Sequence, residues 1–216
     1  MTKAIEQIDK KKYRSNFTTP KGAARFPSLL EPDTAFDGNG EYHTGIVLDP
    51  SDPEVDKIVS KIHELTDEWY SAVYNALPKK DKGKAYKHVS IEDEYDENDE
   101  PTGNIIFKFR QKAVIKDKNG NEKDMMPPLF GLDKKTWEGG TVRGGATIKV
   151  AFQTWPYYVN ATGMCGLKFR IRGIQIIENS GVTPDALGFD DETDGTEDYE
   201  EETPDTPNEE DEDVDF

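Results

Sequence analysis

The chain has 216 residues, and its 27 Lys plus Arg stand against 44 Asp plus Glu for a formal net charge of -17, a balance that ordinarily excludes a polyanionic partner. That exclusion fails, because residues 181–216 hold 17 acids and no Lys or Arg, which leaves 27 acids against 27 bases in residues 1–180. No run nears the roughly 18 apolar residues of a membrane span, the polar start at Met1-Thr2-Lys3-Ala4 carries no apolar signal region, and the single Cys165 excludes an internal disulfide or a multi-cysteine zinc site.

Residues 1–20 are polar and include the basic cluster Lys10-Lys11-Lys12-Tyr13-Arg14, which reads as a flexible arm. One domain is expected over 21–180, a length that can bury one core. Residues 21–50 read as extended pieces broken by Pro27, Pro32 and Asp37-Gly38-Asn39-Gly40. Asp52-Pro53 then supplies a helix cap and first-turn residue. Val55, Ile58, Val59, Ile62, Leu65, Trp69, Val73 and Leu77 recur every three to four residues, which predicts one amphipathic helix ended by Pro78. A lysine-rich piece follows, and then the acidic run Glu92–Glu100, which reads as a solvated loop because its charges repel and bury nothing.

From Asn104 the period becomes two. Strands are predicted over 104–117, 142–155 and 165–179, with a turn at Asn119-Gly120 and a further strand around 123–130. In the first, Phe107, Phe109 and Gln111 alternate with Lys108, Arg110 and Lys112; in the last, Leu167, Phe169 and Ile171 alternate with Lys168, Arg170 and Arg172. The middle strand buries Ala146, Ile148, Val150 and Phe152. It turns Lys149, Gln153 and Trp155 outward, with Arg143 at its start and Trp155-Pro156-Tyr157-Tyr158 at its end. A solvated outer strand explains any one of these faces. Six outward bases on two strands, with no outward acid, point instead to a stripe that follows a sugar-phosphate backbone if the strands are neighbours. Exposed rings add stacking worth about 1–3 kcal/mol per base, which suits single strands, whose bases are free to stack. Trp155 is core instead if its strand twists at Pro156.

No catalytic constellation is found. His43, His63 and His88 lack zinc-ligand spacing, and Gly139–Gly145 lacks the Lys-Ser/Thr of a phosphate loop and opens a strand. Cys165 reads as a small buried thiol, and neither metal nor cofactor is expected. The acidic tail 181–216 reads as disordered and ends in Asp213-Val214-Asp215-Phe216, a ring beside carboxylates that suits recognition by a basic pocket with an apolar floor. Such a tail is expected to lie over the basic stripe and to yield to a real strand.

The order of several short pieces resembles the phage single-stranded DNA-binding proteins of the T-seven-like replisome. These are Phe36 to Asn39, Val47-Leu48-Asp49-Pro50, the Asp52-Pro53 helix, Phe107-Lys108-Phe109, Gly144-Gly145 with Lys149-Val150, Pro156-Tyr157 and the end Asp215-Phe216. The resemblance implies an OB-fold, mainly β with one helix: a small antiparallel barrel capped by the helix and trailed by the tail. It further implies a non-enzymatic homodimer in the infected host's cytoplasm, coating single strands in replication, recombination and repair, with Asp213, Asp215 and Phe216 meeting the replicative polymerase and the helicase-primase. The family's Arg near the early strand is replaced by Gly40-Glu41-Tyr42. The candidate nucleic-acid residues are Lys108, Arg110, Lys112, Arg143, Lys149, Trp155, Tyr157, Tyr158, Lys168, Arg170 and Arg172. An acidic interaction protein or DNA mimic is the competing reading; a mimic would place carboxylates on those strands. A metal-dependent nuclease using the acids at 92–100 is a third.

Overall fold

A computed structural model describes residues 3–35 and 38–179, all within one unit, Met1–Gly181; Asp213, Asp215 and Phe216 lie outside the described residues. In chain order come α1 (Lys3–Glu6), a 3-10 turn (Lys10–Tyr13), β1 (Asn16–Thr18), β2 (Gly22–Asp33), β3 (Glu41–Leu48), α2 (Pro53–Ala76), α3 (Lys79–Lys82), β4 (Tyr86–Val89), β5 (Ile91–Tyr95), β6 (Pro101–Lys112), β7 (Val114–Lys116), β8 (Glu122–Asp124), β9 (Leu129–Phe130), β10 (Thr147–Tyr158) and β11 (Met164–Glu178).

Five strands pair in a ring, β10-β2-β3-β6-β11 and back to β10, as an OB-fold requires. The junctions are antiparallel except β6–β11, which is parallel and rests on the single register pair Phe109 with Phe169. Alternation decides the inside: Phe107, Phe109, Phe152 and Phe169 converge with centroids 5.0–6.5 Å apart. Their edge-to-face and tilted contacts add to area burial. The predicted inward set, Ala146 just before β10 and Ile148, Val150 and Phe152 within it, is buried as expected.

α2 starts where Asp52 accepts a hydrogen bond from the Glu54 amide at 2.8 Å, with Pro53 in its first turn. Its stripe divides between two clusters. Val55 and Ile62 pack on the ring interior, while Leu65, Trp69 and Val73 form a second core with Tyr158, Cys165 and Leu167. Burial pushes the Cys165 thiol up to about 12, so it is an inert core group near neutral pH.

Two expectations fail. Residues 3–20 are not a loose arm: Ile5 is fully buried in the second core, and Tyr13 sits edge-on to Trp69 at 5.2 Å. The buried Thr154 hydroxyl donates to the Tyr13 carbonyl at 2.9 Å and accepts from the Ser15 amide at 2.9 Å. A few apolar residues among many lysines suffice to anchor the segment once α2 and β10 offer a surface. The acidic run is not all loop either, since β5 pairs with β6. Its Glu94 is buried, and its carboxylate accepts hydrogen bonds from Arg25, Thr102 and Asn104. Burial raises its pKa, yet the hydrogen bonds from Asn104, Arg25 and Thr102 prevail and hold it below the usual carboxylate value.

Candidate nucleic-acid interface

Because Phe109 and Phe169 are partners across parallel strands, Lys108 and Arg110 lie alongside Lys168 and Arg170. On the other side of β11, Trp155 is opposite Lys168 and Gln153 opposite Arg170. Three neighbouring strands thus pool their outward residues in one groove of about 790 Å³. Of the sequence-predicted residues it gathers Lys108, Arg110, Lys112, Lys168, Arg170, Trp155, Tyr157 and Tyr158.

The remaining three stand elsewhere. Arg172 is the extra residue of a β-bulge, since Phe152 faces Ile171 and Ala151 faces Gly173. The bulge turns Arg172 toward an adjoining depression with Gln111, Lys123 and Arg170, and toward a second one shared with Lys149. Arg143 is exposed in the turn before β10, where its amide donates to Asn179 at 3.1 Å.

Carboxylates enter the groove, contrary to the expectation of no outward acid. Glu92 of β5 pairs with Lys108, and Glu41 of β3 pairs with Arg110 at 3.4 Å. Both come from strands flanking β6, so a strand-by-strand reading misses them although cross-strand partners are the unit of a sheet face. Five bases against two acids still line the groove. Lys168 feels that excess: burial first, then Arg170 and Lys112, lower its pKa against the opposing pull of Glu41.

The rings also sort differently from expectation. Tyr158 touches the groove but is only 5% exposed and packs in the second core, because as Tyr157's neighbour its side chain is directed to the opposite face. Tyr157 remains half-buried in the groove. Across the strands it faces Gly166, which in turn faces His88. With no side chain between them, the Tyr157 hydroxyl reaches His88 Nδ1 at 2.7 Å, and burial raises the phenol to about 12.

Trp155 is half-buried rather than core, but its indole is not bare. The Arg14 guanidinium lies 3.4 Å and that of Arg170 4.4 Å from the ring centroid. Arg14 is the contributor that sequence reading missed, hidden in the supposed arm. Arg14→Ala is expected to uncover the indole at a cost of about 0.5–2 kcal/mol in stability. Stronger acrylamide quenching of tryptophan emission is the check, and unchanged quenching contradicts it.

The solved structure of gp2.5, a single-stranded DNA-binding protein encoded by bacteriophage T7, is similar at a TM-score of 0.65 and 23% identity, over 84% of this chain and 97% of that one. The single-stranded DNA-binding protein from bacteriophage Enc34 in complex with ssDNA is similar at 0.54 and 13%, over 77% of this chain and 88% of that one. Its C-terminal truncation gives 0.53 and 14%, over 77% and 87%. At such identities the likeness shows a shared fold. No curated protein matches this chain in sequence. A model of the family described as "Single-stranded DNA-binding protein, Bacteriophage T7" matches residues 21–179, which covers the ring, α2 and the groove, and the chain belongs to that family.

Proposed function

We propose that this chain coats single-stranded DNA irrespective of sequence, with the strand running along the groove shared by β6, β11 and β10. Lys108, Arg110, Lys112, Lys168 and Arg170 would meet phosphates, which displace carboxylates such as Glu92 and Glu41. Tyr157 would stack a base, and so would Trp155 once a guanidinium, that of Arg14 or Arg170, moves off its ring. The adjacency of β6 and β11 through Phe109 and Phe169 carries the reading, because it merges two basic faces into one track. The solved Enc34 complex with ssDNA supports the ligand class. Members of the family are binders, not enzymes.

In this reading the protein works in the infected host's cytoplasm as a homodimer during replication, recombination and repair. The acidic segment 181–216 competes with DNA for the groove, and Asp213, Asp215 and Phe216 engage the polymerase and helicase-primase once displaced. The high local concentration of a tethered segment, more than long-range attraction, drives that competition.

The test is a titration of single-stranded and duplex DNA across salt, with the full chain and with one ending at Gly181. The full chain should prefer single strands, with log K falling by about 0.7 per phosphate contact for each tenfold rise in salt. The shortened chain should bind more tightly. A flat salt response refutes the groove; equal or weaker affinity without the tail refutes the competition.

A further inference from the structure

The groove reaches the end where β10 turns into β11. Val159 lines that end, and its carbonyl accepts from the Gly163 amide at 2.8 Å to close the turn. Directly against the turn lies the lysine-rich stretch 79–87, which contains five lysines and one acid. Backbone contacts fix the end of this stretch against the turn. The Tyr86 amide donates to the Gly163 carbonyl at 3.1 Å, and Gly163, at φ +82, leaves no room between itself and the Lys84 carbonyl for a side chain. Gly166 similarly admits the His88 backbone.

β4 therefore lies beside β11 with Tyr86 opposite Met164 and His88 opposite Gly166. Tyr86 and His88, two residues apart, share the face of β4 that borders the groove. Tyr86 is 48% exposed, and it lies near enough to Tyr157 to help raise that phenol's pKa. Its neighbours divide the remaining charge. Lys87, on the other face, pairs with Asp67 of α2 at 2.6 Å, and Lys82 covers the Tyr74 ring at 4.7 Å. Lys79, Lys80 and Lys84 are exposed. A flat ring in line with Tyr157 and His88, followed by cations, repeats beyond the ring of strands the pairing that makes the groove a single-strand track.

We propose that a single strand leaving the groove past Tyr157 continues over β4, where Tyr86 stacks a further base and Lys84 contacts the next phosphate, with Lys79 and Lys80 extending the cationic edge along α3. This extension rests on the groove reading but is separable from it. A strand short enough to fill only the groove never reaches Tyr86, whereas a longer one does.

The experiment measures affinity for a series of oligo-dT lengths by fluorescence anisotropy, using the full chain, Tyr86→Ala with Lys84→Ala, and Tyr86→Phe. The parent should show a late gain in affinity as length increases. The double variant should lose that gain, a loss of about tenfold or more on the longest strands, while binding the shortest ones as the parent does. Tyr86→Phe should keep the gain, because a ring without its hydroxyl still stacks. Both side chains are exposed, so a near-normal melting temperature is expected as the fold control. Equal affinity of parent and double variant at every length overturns the extension alone. Failure of the parent to bind even short strands overturns the groove and the extension together.

Discussion

Replacing Lys168 and Arg170 together by glutamate is expected to lower affinity for single-stranded DNA by about a hundredfold or more, because a hydrogen bond to a charged group is worth about 1.5–3 kcal/mol and two are lost. Both side chains project outward from β11 between buried partners, so the fold should survive. The salt dependence should flatten as well, by about 1.4 in the slope of log K against log salt, as expected for two fewer phosphate contacts on a single strand. New carboxylates would also sit near Glu41, adding repulsion toward any phosphate. Isothermal titration of oligo-dT at several salt concentrations, with circular dichroism to confirm folding, reads both quantities. Affinity within twofold of the parent would place the track elsewhere on the molecule.

Phe152→Ala should have the largest effect on stability. Phe152 is fully buried and meets Phe17, Phe107, Phe109 and Phe169, so its ring bridges β1, β6, β10 and β11. Removing a buried Phe costs about 3–5 kcal/mol through lost transfer energy and the cavity left behind, against a total stability of about 5–15 kcal/mol for a typical domain. The β6–β11 junction has only one register pair, so packing holds it more than backbone hydrogen bonding does. Urea unfolding of parent and variant should show this loss in the extrapolated free energy. A change below about 1 kcal/mol would mean that the cavity collapses and that the strands are held by their ladders.

How much could be read from residues alone follows from how local each signal is. The helix was legible because its cap, its spacing and its terminating proline all lie within one stretch. The inward faces of β6, β10 and β11 were legible for the same reason, since alternation is a property of a single strand. The groove needed two facts that a linear reading does not hold. One is that β6 and β11 are neighbours despite the roughly sixty residues between their basic stretches. The other is that Glu41 and Glu92 answer Arg110 and Lys108 from flanking strands. β5 was missed because charge repulsion was weighed over a run of acids, whereas Glu94 escapes the run by finding Arg25, Thr102 and Asn104. Arg14 was missed because polar composition hid Ile5 and Tyr13, the two residues that hold its segment down. Tyr158 departs from expectation because adjacency in sequence is not adjacency on a face: neighbours in a strand face opposite ways.

The bulge at Arg172 divides β11 into two reading frames. Before it the odd-numbered Leu167, Phe169 and Ile171 point inward; after it the even-numbered Ile174 and Ile176 do. Forcing Arg172 into a regular ladder instead of bulging it out would shift the pairing by one residue and force a choice between stranding two isoleucines in solvent and driving Lys168 and Arg170 into the interior. The border between what this strand offers to a ligand and what it hides is therefore fixed by counting, one spare amino acid serving as the punctuation mark.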